Sequence, residues 1–274
     1  MKVNPKRLIL GLLLAAEGEP LSAREAISAC ALFGISEGNA RVVLLRLSAE
    51  GSIESVDRGL YRLSGAAHQL ADEVSLWRTA GQRLRDWQGG YVVAHTGALR
   101  RGDRNRVHQR ERALQMLGFR ELEAGLQIRP DNIEANLDAL RQRLYAAGLE
   151  ATAAVFSATD FDKERRARIA ALWDGKALNR TYRTQRKQLE DWMARADALD
   201  LDVAMRESFL MGGRAIREVV FDPLLPEPMI DAQARAAFFE TVRRFDATGQ
   251  RIWRQLRAMP AFSPVGAAPR ARSH

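Results

Sequence analysis

The feature that most constrains this chain is a short turn, Gly34-Ile35, set between two apolar-periodic stretches and followed by a ribbon signal. Ser22-Ala23-Arg24-Glu25 is a capping box and predicts a helix from Ser22 to about Phe33. A second helix is expected from Ser36 to Glu50-Gly51. Two β-type runs follow, Ile53–Val56 and Leu60–Leu63, joined by Asp57-Arg58-Gly59, where glycine supplies the positive φ of a hairpin turn. Upstream, about residues 5–16 read as a buried helix closed by Glu17-Gly18-Glu19-Pro20. Three helices and then a β-ribbon is the order of a winged helix-turn-helix.

On a wheel of 100° per residue, Ala40, Val43, Leu44 and Leu47 of the third helix share one face. Gly38, Arg41, Val42, Leu45 and Ala49 take the opposite face, with Asn39 and Arg46 on its flank. A recognition helix presents its N-terminal half to the major groove. Arginine there pairs with guanine and asparagine with adenine, while Val42 and Leu45 can touch thymine methyls. Ser36 at the N-cap leaves backbone N–H groups free for a phosphate. The candidate DNA-binding residues are therefore Ser36, Asn39, Arg41, Val42, Leu45 and Arg46, with Arg58 at the ribbon tip for a minor groove or a phosphate. The plainer alternatives are solvated arginines and apolar residues that pack on another helix.

The 274 residues suffice for about two domains. The formal net charge of +8 favours polyanionic partners. Acidic and basic side chains nearly balance in the first 63 residues, so the excess lies elsewhere, notably Arg100–Arg112 and Arg243–Arg257. The single cysteine, Cys30, cannot close an internal disulfide and reads as a buried small hydrophobe of a reducing compartment. Lys2, Lys6 and Arg7 before Leu8–Ala16 imitate a signal peptide. The run is too short to span a bilayer and leads straight into the capping box, so the expectation is a cytoplasmic protein without a membrane partner.

Beyond the ribbon, Ser64 is expected to cap a linker helix to about Arg85. Then come a strand at Tyr91–His95, a helix at Asn105–Leu117, a strand at Leu126–Ile128, a helix from Asp131 to about Ala146 and a strand at Ala151–Phe156. This order suggests an α+β sandwich of ferredoxin-like type lacking one strand that the pattern does not place. The rest is helical, about 162–172, 178–198, 201–220 and 231–258, with Pro223, Pro226 and Pro228 between the last two. The expected fold class is α+β. Its domains are a winged helix-turn-helix (1–64), a linker helix (65–86), a ferredoxin-like domain (87–172), a helical C-terminal domain (173–259) and a disordered tail (260–274).

Several segments together resemble the phenylacetic-acid-degradation repressor (PaaX) family of transcriptional regulators. They are Gly34-Ile35-Ser36 through Arg41, Arg46-Leu47 and Glu50-Gly51; Trp87-Gln88-Gly89-Gly90-Tyr91; Leu117-Gly118-Phe119-Arg120-Glu121-Leu122; Gly125-Leu126-Gln127-Ile128-Arg129-Pro130; and Phe209-Leu210, Arg217 and Asp222-Pro223-Leu224-Leu225-Pro226. The likeness spans roughly residues 20–256. It implies a homodimer that binds a double-stranded operator, represses a catabolic operon and is released by an acyl-CoA such as phenylacetyl-CoA. The chain departs from the family pattern at Gly212-Gly213 and after the Leu-Pro segment, where Pro226-Glu227-Pro228-Met229-Ile230-Asp231 stands.

Arg100, Arg101, Arg104 and Arg106, with Arg110 and Arg112, could hold acyl-CoA phosphates, meet DNA phosphates or form a solvated loop. The rival enzyme class is a metal-dependent nuclease, since the middle domain is similar in shape to a small CRISPR adaptation nuclease. That enzyme needs an acidic residue where this strand ends Ala94-His95-Thr96, so the activity is not carried over. Asp160 and Asp162 form the tight acidic pair, for which a helix N-terminus is reason enough. His68, His95, His108 and His274 fit no metal spacing. No catalytic residue, metal or cofactor is expected. Phe238, Phe239, Phe245 and Trp253 fall at helical spacing, for a core or an effector pocket.

Overall fold

The computed structural model describes residues 3–16, 18–65, 76–100 and 102–255. The chain is mixed α+β, with nine α-helices and two small antiparallel sheets among the described residues. It divides into two compact units. One holds the chain as far as Ser75, Arg195–Met211 and the stretch from Asp246 onward; the other holds Leu76–Ala194 and Gly212–Phe245. The residues expected to form a separate helical domain, 173–259, are distributed over both.

The first unit begins with α1 (Pro5–Ala15), which Asn4 caps by accepting a hydrogen bond from Lys6 N. Leu8, Ile9, Leu12 and Leu13 form its buried stripe. β1 (Leu21–Ser22) is two residues long, and Ser22 also caps α2 (Ala23–Leu32). Both halves of the capping box form: Glu25 N donates to Ser22 Oγ at 3.1 Å, and Ser22 N donates to Glu25 Oε2 at 2.7 Å. After the turn at Gly34, whose φ is 70°, comes α3 (Glu37–Ala49). β2 (Ile53–Asp57) and β3 (Leu60–Leu63) form the hairpin, with Ile53 opposite Leu63 and a bulge between Ser55 and Asp57. Gly59 turns it with φ 74°. β1 pairs with β3, giving the order β1-β3-β2. The pattern did not predict β1, because a two-residue strand has no periodicity and exists only through its partner.

Within the same unit, Phe209 meets Phe33 edge-on with ring centroids 5.5 Å apart, and Trp253 at 6.3 Å. Gly11 faces the Phe209 ring closely; a Cβ there would sit 3.2 Å from it. The late helices thus supply aromatic walls to the N-terminal core. Cys30 is fully buried in that core, and burial pushes its thiol up to about 11, which keeps it protonated and inert.

The second unit opens with a 3₁₀ segment at Leu76–Arg83, and Leu84 bridges antiparallel to Ile133. This corrects the continuous linker helix expected to Arg85; residues 66–75 of that expectation lie outside the described residues. Next come β4 (Tyr91–His95), α4 (Arg104–Met116), β5 (Arg120–Glu123), β6 (Leu126–Pro130), α5 (Leu137–Ala147) and β7 (Ala154–Ala158). All pairings are antiparallel, in the order β5-β6-β4-β7. β5 is the strand that the sequence pattern leaves unplaced: its Arg-Glu-Leu-Glu buries one apolar side chain, too few for a period of two to stand out.

Central strand β4 buries Val92, Val93 and Ala94 in succession, as a strand covered on both faces must. Val93 joins Leu122, Ile128 and Ile169 in one cluster, so α6 (Lys163–Ala170) covers that face. Val92 and Ala94 alternate to the other face, where α5 packs on β7 and α4 on α5. α5 starts at Leu137, capped by Asn136, six residues after the expected start at Asp131. The reason is tertiary: Ile133 is taken by the bridge to Leu84, Asn132 is buried and bonded to Leu224 O, and Glu134 has a φ of 61° that no helix accepts.

The last helices are α7 (Gly175–Met193), α8 (Leu201–Val220) and α9 (Ala232–Arg254), with a 3₁₀ turn at Ala196–Ala198. In the second unit Tyr182 stacks on Phe238, and Trp192 lies 4.9 Å from Phe245. Phe238, Phe239 and Phe245 are buried, which is the core reading of the aromatic spacing. Tyr182 Oη donates to buried Asp222 at 2.6 Å, and Arg235 donates to Leu225 O at 2.5 Å, tying α7 and α9 to the Pro-rich connection. No helix among the described residues is long and apolar enough to cross a membrane.

Candidate nucleic-acid interface

The third helix is two-faced, and the division falls where the wheel puts it. Ala40, Val43, Leu44 and Leu47 are buried against α1 and α2. On the other side Gly38, Asn39, Arg41, Val42, Leu45, Arg46, Ser48 and Ala49 are exposed. Val42 is 44% and Leu45 67% accessible, both among the exposed large hydrophobics of the chain. Water gains nothing by wetting two aliphatic side chains in an arginine-flanked row, so their exposure is an energetic cost that a partner surface would remove. At 1.5 Å per residue the thirteen-residue helix is about 20 Å long. That is enough to lie in a groove about 12 Å wide.

Ser36 caps the helix, its Oγ accepting from Asn39 N at 3.4 Å. Arg41 is held by Glu37 one turn back, with Nε and a terminal nitrogen 2.9 and 2.7 Å from Oε1. An exposed pair of this kind contributes only about 0.3–0.5 kcal/mol, so Arg41 is readily released. The i,i+4 spacing of Glu37 and Arg41 is the sequence signal for this local partner, which neither the base-reading nor the solvated expectation for Arg41 includes. Arg46 has no ion-pair partner among the described residues. At the ribbon tip, Asp57 Oδ1 accepts from Arg58 N at 2.6 Å and Ser55 Oγ donates to Asp57 O at 2.8 Å, which stiffens the turn that carries the exposed Arg58 side chain.

The second basic run is more structural than its composition suggests. Arg110 is buried and bound to Glu150, its Nε 2.9 Å from Oε2 and a terminal nitrogen 2.5 Å from Oε1; it also donates to Arg100 O. Arg100, Arg104 and Arg106 remain exposed at the start of α4, but Asp103 caps that helix by accepting from Asn105 N and Arg106 N. Arg101 lies outside the described residues. Asp162 caps α6 and pairs with Arg165; the Arg165 backbone and side chain hold its carboxyl below the ordinary range. Among the described residues no three His, Cys, Asp or Glu side chains gather to hold a metal ion. His68 and His274 are outside them.

Sequence reasoning missed the residue around which the scattered motifs converge. Arg129 is fully buried. It donates to Pro130 O and Asn132 Oδ1 at 2.8 Å each and to Leu117 O, while Asn132 donates to Leu224 O at 2.7 Å. Gly118, with φ 75°, lies so close to Pro223 that a Cβ would sit 2.5 Å from its carbonyl oxygen. The segments 117–122 and 125–130 thus meet at one guanidinium, and 222–226 is tied to it through Asn132. Burial lowers its pKa to about 9, and neutral oxygens take most of its protons.

The family assignment rests on two matches. The model of the PaaX-like protein matches residues 5–67, and that of the PaaX-like protein C-terminal domain matches residues 173–255. The chain belongs to the PaaX-like family. This PaaX-like chain is also similar in fold to an uncharacterised protein from Mycobacterium tuberculosis, with a TM-score of 0.58 and 24% identity over 92% of this chain and 99% of that one. No curated protein sequence matches it.

Proposed function

We propose that this PaaX-like regulator binds double-stranded DNA through α3 and the β2–β3 ribbon, and that it acts as a homodimeric repressor of a catabolic operon. The observation that carries the reading is the outward row Arg41, Val42, Leu45 and Arg46, solvent-exposed on a helix whose other face is fully committed to the core. In this reading residues 1–64 are a winged helix-turn-helix. α2, the Gly34 turn and α3 form the reading unit, and Arg58 on the ribbon touches the backbone or minor groove. The strand order β5-β6-β4-β7 with α4 and α5 as crossovers supports a ferredoxin-like reading of the middle of the chain. Arg41 and Arg46 read bases, Val42 and Leu45 meet thymine methyls, and Ser36 and Asn39 hold the helix entrance to a phosphate.

Two such helices in a dimer read half-sites separated by about 10 bp or a multiple of it. An acyl-CoA such as phenylacetyl-CoA releases the operator by binding the free form better than the bound one. The exposed Arg100, Arg104 and Arg106 offer it, or flanking DNA, a phosphate contact.

The test is a competition gel shift with the chain's own upstream region against unrelated duplex of equal length, repeated across salt concentrations. The reading expects a retarded species that survives excess competitor and that Arg46→Ala abolishes. Equal competition by both duplexes, with Arg46→Ala unchanged, refutes it.

A further inference from the structure

We propose that Arg83 and Arg143 form a seat for the phosphate group of a ligand, and that Glu134 occupies this seat as an internal stand-in until the ligand displaces it. The inference concerns the second unit, apart from the DNA-reading surface. It leans on the proposed function only for what the ligand would regulate.

Four guanidinium groups converge at the join between the 3₁₀ segment, the end of β6 and the loop before α5: Arg83, Arg85, Arg129 and Arg143. They face two carboxylates. Asp131 is taken by Arg85, which also donates to Glu134 O at 3.0 Å. Arg129 is satisfied by carbonyl and amide oxygens. That leaves Glu134 alone between Arg83 and Arg143.

The fit of Glu134 is poor. Its Oε1 lies 3.6 Å from Arg83 and 3.2 Å from Arg143, yet it makes no hydrogen bond, and Arg83 Nε is buried without a partner. Two buried polar atoms, Arg83 Nε and Glu134 Oε1, that stand in a partly buried ion pair without hydrogen bonds are a costly arrangement. Glu134 also holds a positive φ of 61°. Its backbone has little freedom to improve matters, because Glu134 N donates to Arg83 O at 2.9 Å and Arg85 N donates to Asn132 O at 2.9 Å. The side chain is the one part that can leave.

A phosphate suits what remains. It has three oxygens in place of two and up to two negative charges against two guanidiniums and the excess field of Arg129, and Arg forks match it in two directions. Burial, and then the neighbouring Arg143, lower the Arg83 pKa to about 10, while Glu134 beside it pulls the other way and offsets only part of the shift. Arg83, Glu134 and Arg143 stay between 16 and 25% accessible, so the seat opens to solvent once Glu134 swings out.

Calorimetry on the full chain without DNA tests this, using inorganic phosphate, the phosphomonoester glycerol 3-phosphate, and acetate at matched ionic strength. Saturable phosphate binding is expected, with acetate silent, and glycerol 3-phosphate distinguishes a free phosphate site from one for an organic ester. Glu134→Gln should tighten phosphate by at least threefold, and Arg83→Gln and Arg143→Gln should weaken it by at least tenfold. Should Arg83→Gln fail to fold, Glu134→Gln and Arg143→Gln still decide. Absence of saturable binding, or equal binding by wild type and all variants, overturns the proposal. DNA affinity, measured separately, is not among these readouts, so failure of the repressor reading leaves this result standing.

Discussion

Glu37 and Arg41 give the sharpest handle on the DNA-reading helix. In the free protein Arg41 bonds Glu37 at 2.7 Å, with both side chains about three-fifths exposed. To contact a base it must leave that carboxylate, which costs about 0.3–0.5 kcal/mol for an exposed pair one helical turn apart. Glu37→Ala removes this cost and takes a negative charge from the end of the helix that enters the groove. At about 1.4 kcal/mol per decade, operator affinity should rise about twofold. Arg41→Ala should lose about 1–3 kcal/mol, roughly five- to 150-fold. The informative comparison is Glu37→Ala in the Arg41→Ala background, where competition for Arg41 has vanished and only the general charge effect remains. Fluorescence anisotropy of a labelled operator duplex at fixed salt measures all four corners of the cycle. The reasoning fails if Glu37→Ala weakens binding, or if it changes affinity equally in both backgrounds.

Three further outcomes follow from the same geometry. Leu47 is fully buried under α3, so Leu47→Ala should cost about 2–5 kcal/mol in urea unfolding; an unchanged midpoint would show that α3 is not anchored there. Arg58→Ala should lower the slope of log affinity against log salt by about one without changing sequence preference, read by anisotropy across salt concentrations. Burial raises the Asp222 carboxyl above its ordinary 3.8, so the folded state holds that proton more tightly than the unfolded one. Its contribution is therefore fully present below 3.8 and is lost as pH rises through the folded value. Asp222→Asn should flatten that part of the stability–pH curve while keeping an acceptor for Tyr182, and a parallel curve in wild type and variant would contradict it.

Much of the first unit was legible because its signals are local. A capping box, a glycine turn and a 3.6-residue period each fix their own few residues, and Ser22, Gly34 and the Ala40–Leu47 stripe fell where expected. What was illegible depends on distant partners. β1 is two residues held by β3, and β5 shows one buried leucine. The helix expected at Asp131 is displaced because Asp131, Asn132 and Ile133 are claimed by Arg85, Arg129 and Leu84. Charge misled in the same way: Arg110 looks like part of a basic face, but Glu150, forty residues away, buries it. The motif segments 117–122, 125–130 and 222–226 could be read as a resemblance, yet only the fold shows that buried Arg129 joins the first two and reaches the third through Asn132.

The central claim is that the outward row of α3 enters a DNA groove, and a cleavage reagent placed in that row tests it most directly. Leu45→Cys offers an exposed thiol, while the native Cys30 is fully buried and protonated, so an iron chelate can be attached at position 45 alone. The expected result, on the chain's own upstream duplex, is cutting confined to two short tracts about 10 bp or a multiple of it apart. Cutting spread evenly along the duplex, or none while the protein is bound, would contradict the account.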